Sequence, residues 1–287
     1  MRQIIRFIWN HPISGRNRFY AVCRLIYWQV VCRLRRKVVV RYGQDSRLLV
    51  SKGMTGATGN IYVGLHEFRE MAFFLHACRK GDHFVDIGSN VGSFSVLIGN
   101  EIGTEITAIE PIPATFDSLV ANLKLNGIDV SNVFNMGLGS EKGTLRFTDD
   151  LDTVNHVLNE GDQGGVEIKV NTLDNMVETR LPTFLKIDVE GFEMHVIKGG
   201  KKVLESAMAM MVELNGAGEA FGFTDDSIRR ELNSCGYVEV DYDPFQRLMR
   251  RGTIKADNAL FVRGPVWDEL EMRLKEAPQL SVRGVRF

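Results

Sequence analysis

Residues 84–94, Phe84-Val85-Asp86-Ile87-Gly88-Ser89-Asn90-Val91-Gly92-Ser93-Phe94, constrain this chain more than any other stretch. An apolar run enters a carboxylate and then a turn carrying two glycines. Residues 93–102 follow with apolar side chains at helical spacing. Strand, glycine turn and helix in that order open a doubly wound sheet. The glycines permit positive φ and close approach of backbone to a ligand. The spacing G-x-x-x-G is neither the G-x-G-x-x-G of dinucleotide sites nor the G-x-x-x-x-G-K-[ST] of phosphate loops. No Lys or Arg stands in the turn to meet a phosphate. Asp86 ends the strand instead, which suits a cationic or hydroxyl-rich ligand.

A second strand is expected over 105–110, ending in Glu110, which follows Gly88 by 22 residues. An acid about 20 residues beyond the glycine turn lies where it can accept hydrogen bonds from a ribose diol. Turn, preceding acid and following acid together describe a site for an adenosine-bearing cation. S-adenosylmethionine fits, because its sulfonium and amino group are positive and it has no phosphate. A third strand over 132–136 leads to Gly137-Leu138-Gly139 at the same edge, where the Gly137 backbone can meet an adenine edge.

Later in the chain comes Leu185-Lys186-Ile187-Asp188-Val189-Glu190-Gly191. Lys186, Asp188 and Glu190 alternate with apolar residues, so on a strand they share one face. They would meet at the carboxyl end of a central strand, where open α/β sheets bind ligands. Charges there are costly unless paired or used. Between these motifs, residues 143–148 and 165–170 read as strands flanking a polar segment with Asn155, His156 and Asp162. That segment is a candidate substrate loop.

The rest of the pattern is a full globular domain, 44% apolar and 25% charged. A strand pair is expected over 38–50, a glycine-rich loop over 53–60, and helices over 67–78, 115–126, 193–204, 225–235 and 266–275. Residues 208–214, 237–242 and 258–262 read as strands, the last two as a closing antiparallel pair. Cys23, Cys32, Cys78 and Cys235 show no C-x-x-C and no histidines at zinc spacing, so no metal site and no disulfide framework is expected. A reducing, cytoplasmic setting follows.

The net charge of −1 conceals an asymmetry. Residues 1–41 contain ten Arg or Lys and no acid, leaving 25 basic and 36 acidic residues for the remainder. The longest uncharged run in the second half of this arm, residues 25–32, is far short of the ~20 apolar residues of a membrane span. The segment also lacks the apolar core and cleavage site of a signal peptide. Two readings stay open: helices covering the body with arginines paired to its acids, or a basic, aromatic surface for an anionic membrane or acidic substrate. The expected organisation is a basic helical extension over 1–44, a ligand-binding domain over 45–265, and a C-terminal helix and tail over 266–287.

The motifs quoted above resemble those of the FkbM family of S-adenosylmethionine-dependent methyltransferases, over roughly residues 60–263. Residues 84–92 look like its first motif and Glu110-Pro111 like its acidic second motif. Residues 185–191 carry the most particular likeness, and Asn258-Ala259-Leu260-Phe261-Val262 resembles its final strand. The resemblance implies the class I methyltransferase fold, an α/β, Rossmann-like sheet of seven strands with the last antiparallel. It implies O-methylation of sugar hydroxyls, glycans or related natural products. It carries over Asp86, Gly88, Asn90, Gly92 and Glu110 as cofactor contacts, with Glu67 toward the methionine end. A sugar hydroxyl needs a positioned base. Asp188 or Glu190 is the candidate, with Lys186 holding the carboxylates or steadying the alkoxide, and His156 in reserve. Asp188 has a second candidate role, binding the cofactor's amino group. The competing classes are an RNA methyltransferase using the basic arm and a non-catalytic protein that kept the fold. The acidic body and the absence of an RNA module speak against nucleic acid.

Overall fold

Alternate residues of the central strands serve two different cores, and this alternation builds the sheet. The computed structural model describes residues 2–148, 155–158 and 164–287. The chain begins with helices α1 (Arg2–Asn10) and α2 (Arg18–Leu34), then a hairpin of β1 (Val38–Arg41) and β2 (Arg47–Val50), then helices α3 (Thr55–Val63) and α4 (Phe68–Ala77). The repeating unit follows: β3 (His83–Ile87), α5 (Ser93–Ile102), β4 (Glu105–Ile109), α6 (Pro113–Leu125) and β5 (Val133–Phe134). A small side sheet of β6 (Gly137–Leu138), β7 (Gly143–Phe147) and β8 (Val166–Asn171) stands at the rim. Next come α7 (Leu173–Met176), β9 (Phe184–Ile187), α8 (Glu193–Lys198), α9 (Lys201–Leu204) and β10 (Ala209–Glu213). The chain ends with α10 (Asp225–Ser234), β11 (Tyr237–Asp243), β12 (Leu248–Arg251), β13 (Asn258–Arg263), α11 (Trp267–Glu276) and a hairpin of β14 (Ser281–Val282) and β15 (Val285–Arg286).

The main sheet runs β12-β11-β13-β10-β9-β3-β4-β5. β5, β4, β3, β9 and β10 are mutually parallel, and β13 inserts antiparallel between β10 and β11. This is the class I methyltransferase strand order, with β12 added at one edge. The eighth strand is missing from the sequence reading because its exposed residues Arg250 and Arg251 leave no apolar alternation. Phe84, Phe184, Met211 and Leu260 enter one core; Val85, Leu185, Met210 and Phe261 enter the other. Both faces are covered, so β3 and β9 are buried throughout.

Three other expectations change. Residues 53–60 are not a plain loop, since α3 starts at Thr55. Its Gly59 is there for close packing: a Cβ would come within 2.4 Å of the His66 ring. The expected helix over 193–204 is two helices broken at Gly199 and Gly200. A Cβ on Gly199 would meet the Gly139 carbonyl oxygen at 2.1 Å. The C-terminal tail closes as a hairpin and buries Phe287 against Phe68, ring centroids 5.1 Å apart.

The arm covers the body, as one of the two readings expected: Ile8, Leu25 and Trp28 join the core that holds Phe84. Among the described residues its arginines make one ion pair with the body, at the domain boundary, the solvent-exposed one from Arg41 to Asp45. The half-buried Arg24 donates instead to the Tyr62 carbonyl, at 2.7 Å.

Candidate active site

The sheet reverses its winding between β3 and β9, and the crevice at their carboxyl ends is where such sheets take ligands. In register there, Asp86 of β3 faces Lys186 of β9. Asp86 is fully buried; its Oδ2 accepts from the Ser95 hydroxyl at 2.6 Å and the Ser95 amide at 3.2 Å. The Lys186 Nζ lies 3.5 Å from Asp86 Oδ1 and 3.0 Å from Asp188 Oδ2, and donates to the Gly88 carbonyl at 3.0 Å. The Asp188 carboxylate and the Gly88 carbonyl engage it closely, whereas Asp86 Oδ1 has no hydrogen-bond partner and feels the ammonium only as a charge. Burial alone would lower the pKa of Lys186, but Asp188, Asp86 and Glu67 outweigh it and hold the pKa above its ordinary value. Lys186 is a charged clamp between two strands.

The glycine turn consumes its own amides. Gly88 and Ser89 both donate to the Ile109 carbonyl at 3.0 Å, Val91 donates to Asn90 Oδ1 at 2.7 Å, and Gly92 to the Ser89 carbonyl at 2.9 Å. The Asn90 amide donates to Glu110 Oε2 and the Ile112 amide to Glu110 Oε1, each at 2.9 Å. The amides of residues 88–92 are thus all engaged within the protein. Burial pushes the Glu110 carboxyl up to about 7 despite those two amides. Gly88, at φ +73°, cannot carry a side chain, because a Cβ would lie 1.7 Å from the Asp188 carbonyl oxygen.

Beyond β9 the chain turns sharply. Glu190 has φ 51°, in the left-handed region, and Gly191 has φ 100°. Such a backbone costs a non-glycine residue about 1–2 kcal/mol. Glu193, the first residue of α8, holds the turn by accepting from the Val189 and Gly191 amides, both at 3.1 Å. Carboxylate oxygens of Asp188, Glu190 and Glu213 all lie within 4.8 Å of one another. Among the described residues these three are the group that could ligate a cation. Glu213 has one oxygen with no hydrogen-bond partner. Burial first, then Asp188 and Glu190, drive the pKa of Glu213 far up. Burial, then Asp188 and Glu193, push Glu190 up to about 7. Burial and Asp188 do the same for Glu67, whose other partner is the Asn258 amide.

These groups line a cavity of about 430 Å³, within the range of small-molecule sites. Of the residues expected from sequence, Glu67, Gly88, Asn90, Glu110, Gly137, Lys186, Asp188 and Glu190 are on its wall. Three are not. Asp86 is sealed beneath the wall, where it binds Ser95 and Lys186. Gly92 caps α5 and packs against Leu119. The backbone of His156 pairs with Thr148, and its neighbour Asn155 lines the cavity in its place. Asp162 lies outside the described residues. Glu190 reaches the cavity through the left-handed turn; the strand ends at Ile187, so side-chain alternation does not place it. Sequence reading missed His66 and Glu193. Glu193 had a signal, an acid at the start of a helix directly after a glycine turn; His66, beside Glu67, had none.

A family model described as Methyltransferase FkbM domain matches residues 86–239, more than half of the chain. The chain belongs to the FkbM methyltransferase family. Two curated relatives match it in part. Hexuronic acid methyltransferase AglP of Haloferax volcanii is 30% identical over 49% of this chain and 59% of its own length. Methyltransferase 1 of Beauveria bassiana is 28% identical over 46% of this chain and 66% of its own. The matches thus span roughly three fifths to two thirds of these relatives' own lengths. Among solved structures, M. jannaschii TYW2 in complex with AdoMet is similar over 80% of this chain and 87% of that one, at 13% identity and a TM-score of 0.42. So distant a likeness adds nothing to what the strand order shows.

Proposed function

We propose that this FkbM methyltransferase uses S-adenosylmethionine to O-methylate a hydroxyl of a sugar, glycan or related natural product. The observation carrying this reading is the chemistry of the cavity wall: several carboxyls, one cation paired with Asp188, and a glycine turn with no amide to spare. Such a wall suits a cationic, phosphate-free nucleoside. Glu110 would take the ribose hydroxyls on the free lone pairs of its oxygens. Ile109, Met136 and Leu138 offer apolar surface to adenine beside the Gly137 backbone, and Glu67 and Asp188 offer negative charge to the amino-acid end. When bound, the cofactor supplies a methyl group activated by the positive sulfonium.

The protein's own work is alignment and one proton. Asp188 is held by Lys186, 3.0 Å away. Glu190 faces the cavity with a carboxyl near 7, the value that suits a base at neutral pH. Glu190 would accordingly accept the proton of an acceptor hydroxyl, and Lys186 keeps Asp188 in place. A uronic acceptor, of the kind named for the Haloferax relative, would have to keep its carboxylate away from Asp188, Glu190 and Glu213.

Calorimetric titration with S-adenosylmethionine and S-adenosylhomocysteine tests this directly. Binding of both, weakened at least tenfold by Glu110→Ala, is expected. Folded protein that binds neither would end the methyltransfer reading.

A further inference from the structure

Helix α2 is apolar on both sides. Ala21, Leu25, Trp28 and Cys32 face the core, while Phe19, Tyr20, Ile26, Tyr27, Val30 and Leu34 form a second stripe facing outward. Phe19 is 75% and Leu34 79% exposed. Helix α1 adds to it: Arg2, Ile5, Arg6 and Trp9, three and four residues apart, are its exposed side, and Arg18 sits 5.1 Å over the Trp9 ring. A helix apolar all round belongs either inside a protein or at an interface, and exposed apolar stripes of this extent mark contact sites.

We propose that α1 and α2 form a docking surface for an anionic membrane, lying in the headgroup plane. Charge complementarity selects this occupant. No acid precedes Asp45, and exposed Arg2, Arg6, Arg18, Arg33, Arg35 and Arg36 flank the stripe. A second copy pairing through the same face would set arginine against arginine with no carboxylate to answer it. A nucleic acid would gain nothing from Ile26, Val30 and Leu34, which have no ring on which a base could stack. Aromatic and aliphatic side chains beside arginines are what an interfacial helix presents to phospholipid, and no described helix is long and apolar enough to cross the bilayer. The surface abuts the cavity, because Phe7 of α1 packs edge-on against His66, centroids 4.9 Å apart, and His66 lines the cavity wall. Docking would therefore hold the cavity at the membrane surface.

Co-sedimentation of the full chain tests the proposal without reference to catalysis, so it stands or falls apart from the methyltransfer reading. Vesicles of equal parts phosphatidylcholine and phosphatidylglycerol should carry the protein down at low salt and release it as salt rises. Phosphatidylcholine alone should not. A charge variant (Arg2→Glu, Arg6→Glu, Arg33→Glu) and a stripe variant (Phe19→Ser, Ile26→Ser, Leu34→Ser) should each lower partitioning on the order of tenfold or more. All six positions are exposed, and circular dichroism checks that the fold survives. Wild type that stays in the supernatant, or variants that sediment like wild type, overturn the proposal. So does a dimer in light scattering that the stripe variant dissociates in the absence of lipid, which would assign the face to a second copy. Wild type that ignores vesicles and binds an oligonucleotide through the arginines would assign it to RNA.

Discussion

Two turns meet at the carboxyl edge of the sheet, one after β3 and one after β9, and they are built in opposite ways. Each places a non-glycine residue at φ 51°, Asn90 in the first and Glu190 in the second. Asparagine tolerates that conformation; glutamate does so at a cost. In the first turn every amide finds a partner within the protein, and Glu110 is held by two of them. In the second, Asp188, Glu190 and Glu213 crowd together, Lys186 pairs with Asp188, and a Glu213 oxygen has no hydrogen-bond partner. One turn is a finished receptacle. The other stores unfavourable backbone and electrostatic energy beside it, as reacting groups often do.

The largest expected effect comes from the residue that joins the two turns. Lys186→Met leaves Asp86 buried without its cation, and breaking a buried pair in this way costs about 3–5 kcal/mol. Denaturant unfolding should show that loss, and an unchanged midpoint would mean the turns do not depend on the clamp. Glu190→Gln separates them instead. Turnover should fall ~10²–10⁴-fold, the usual worth of a general base, while S-adenosylhomocysteine binding is unaffected. The wild-type rate should rise with pH through about 7, because a base works in its ionised form and burial raises this carboxyl to that value. The variant's profile should lose that limb. Near-wild-type turnover of the variant would pass the base to Asp188. The smallest effect isolates strain: Glu190→Gly should be more stable than Glu190→Ala by about 1 kcal/mol, since only glycine takes φ 51° freely. Equal melting temperatures would remove backbone strain from the contrast.

The receptacle was legible because its information is local. Apolar strand, acid, glycine turn and the acid of the next strand follow one another within 30 residues, and hydrophobic periodicity places each on its element. The turn after β9 was legible only in part. Lys186, Asp188 and Glu190 stand out as charges in an apolar strand, yet strand alternation would place Glu190 by the wrong geometry. Gly59 read as a loop residue because its reason, the His66 ring against it, is a contact seven residues away across a turn.

The amino-acid sequence by itself determined the fold class, the strand that carries the site, the carboxylates that surround it and the charge of the arm. All of these depend on periodicity and residue type along the chain. Tertiary structure alone decided that Asp86 is buried support, that Lys186 pairs with both Asp86 and Asp188, that Glu213 lies beside Asp188 and Glu190, and that the second apolar stripe of α2 faces outward. Each of those depends on which distant groups share a few cubic ångströms, and burial and pairing there set the charge state and reach of a side chain.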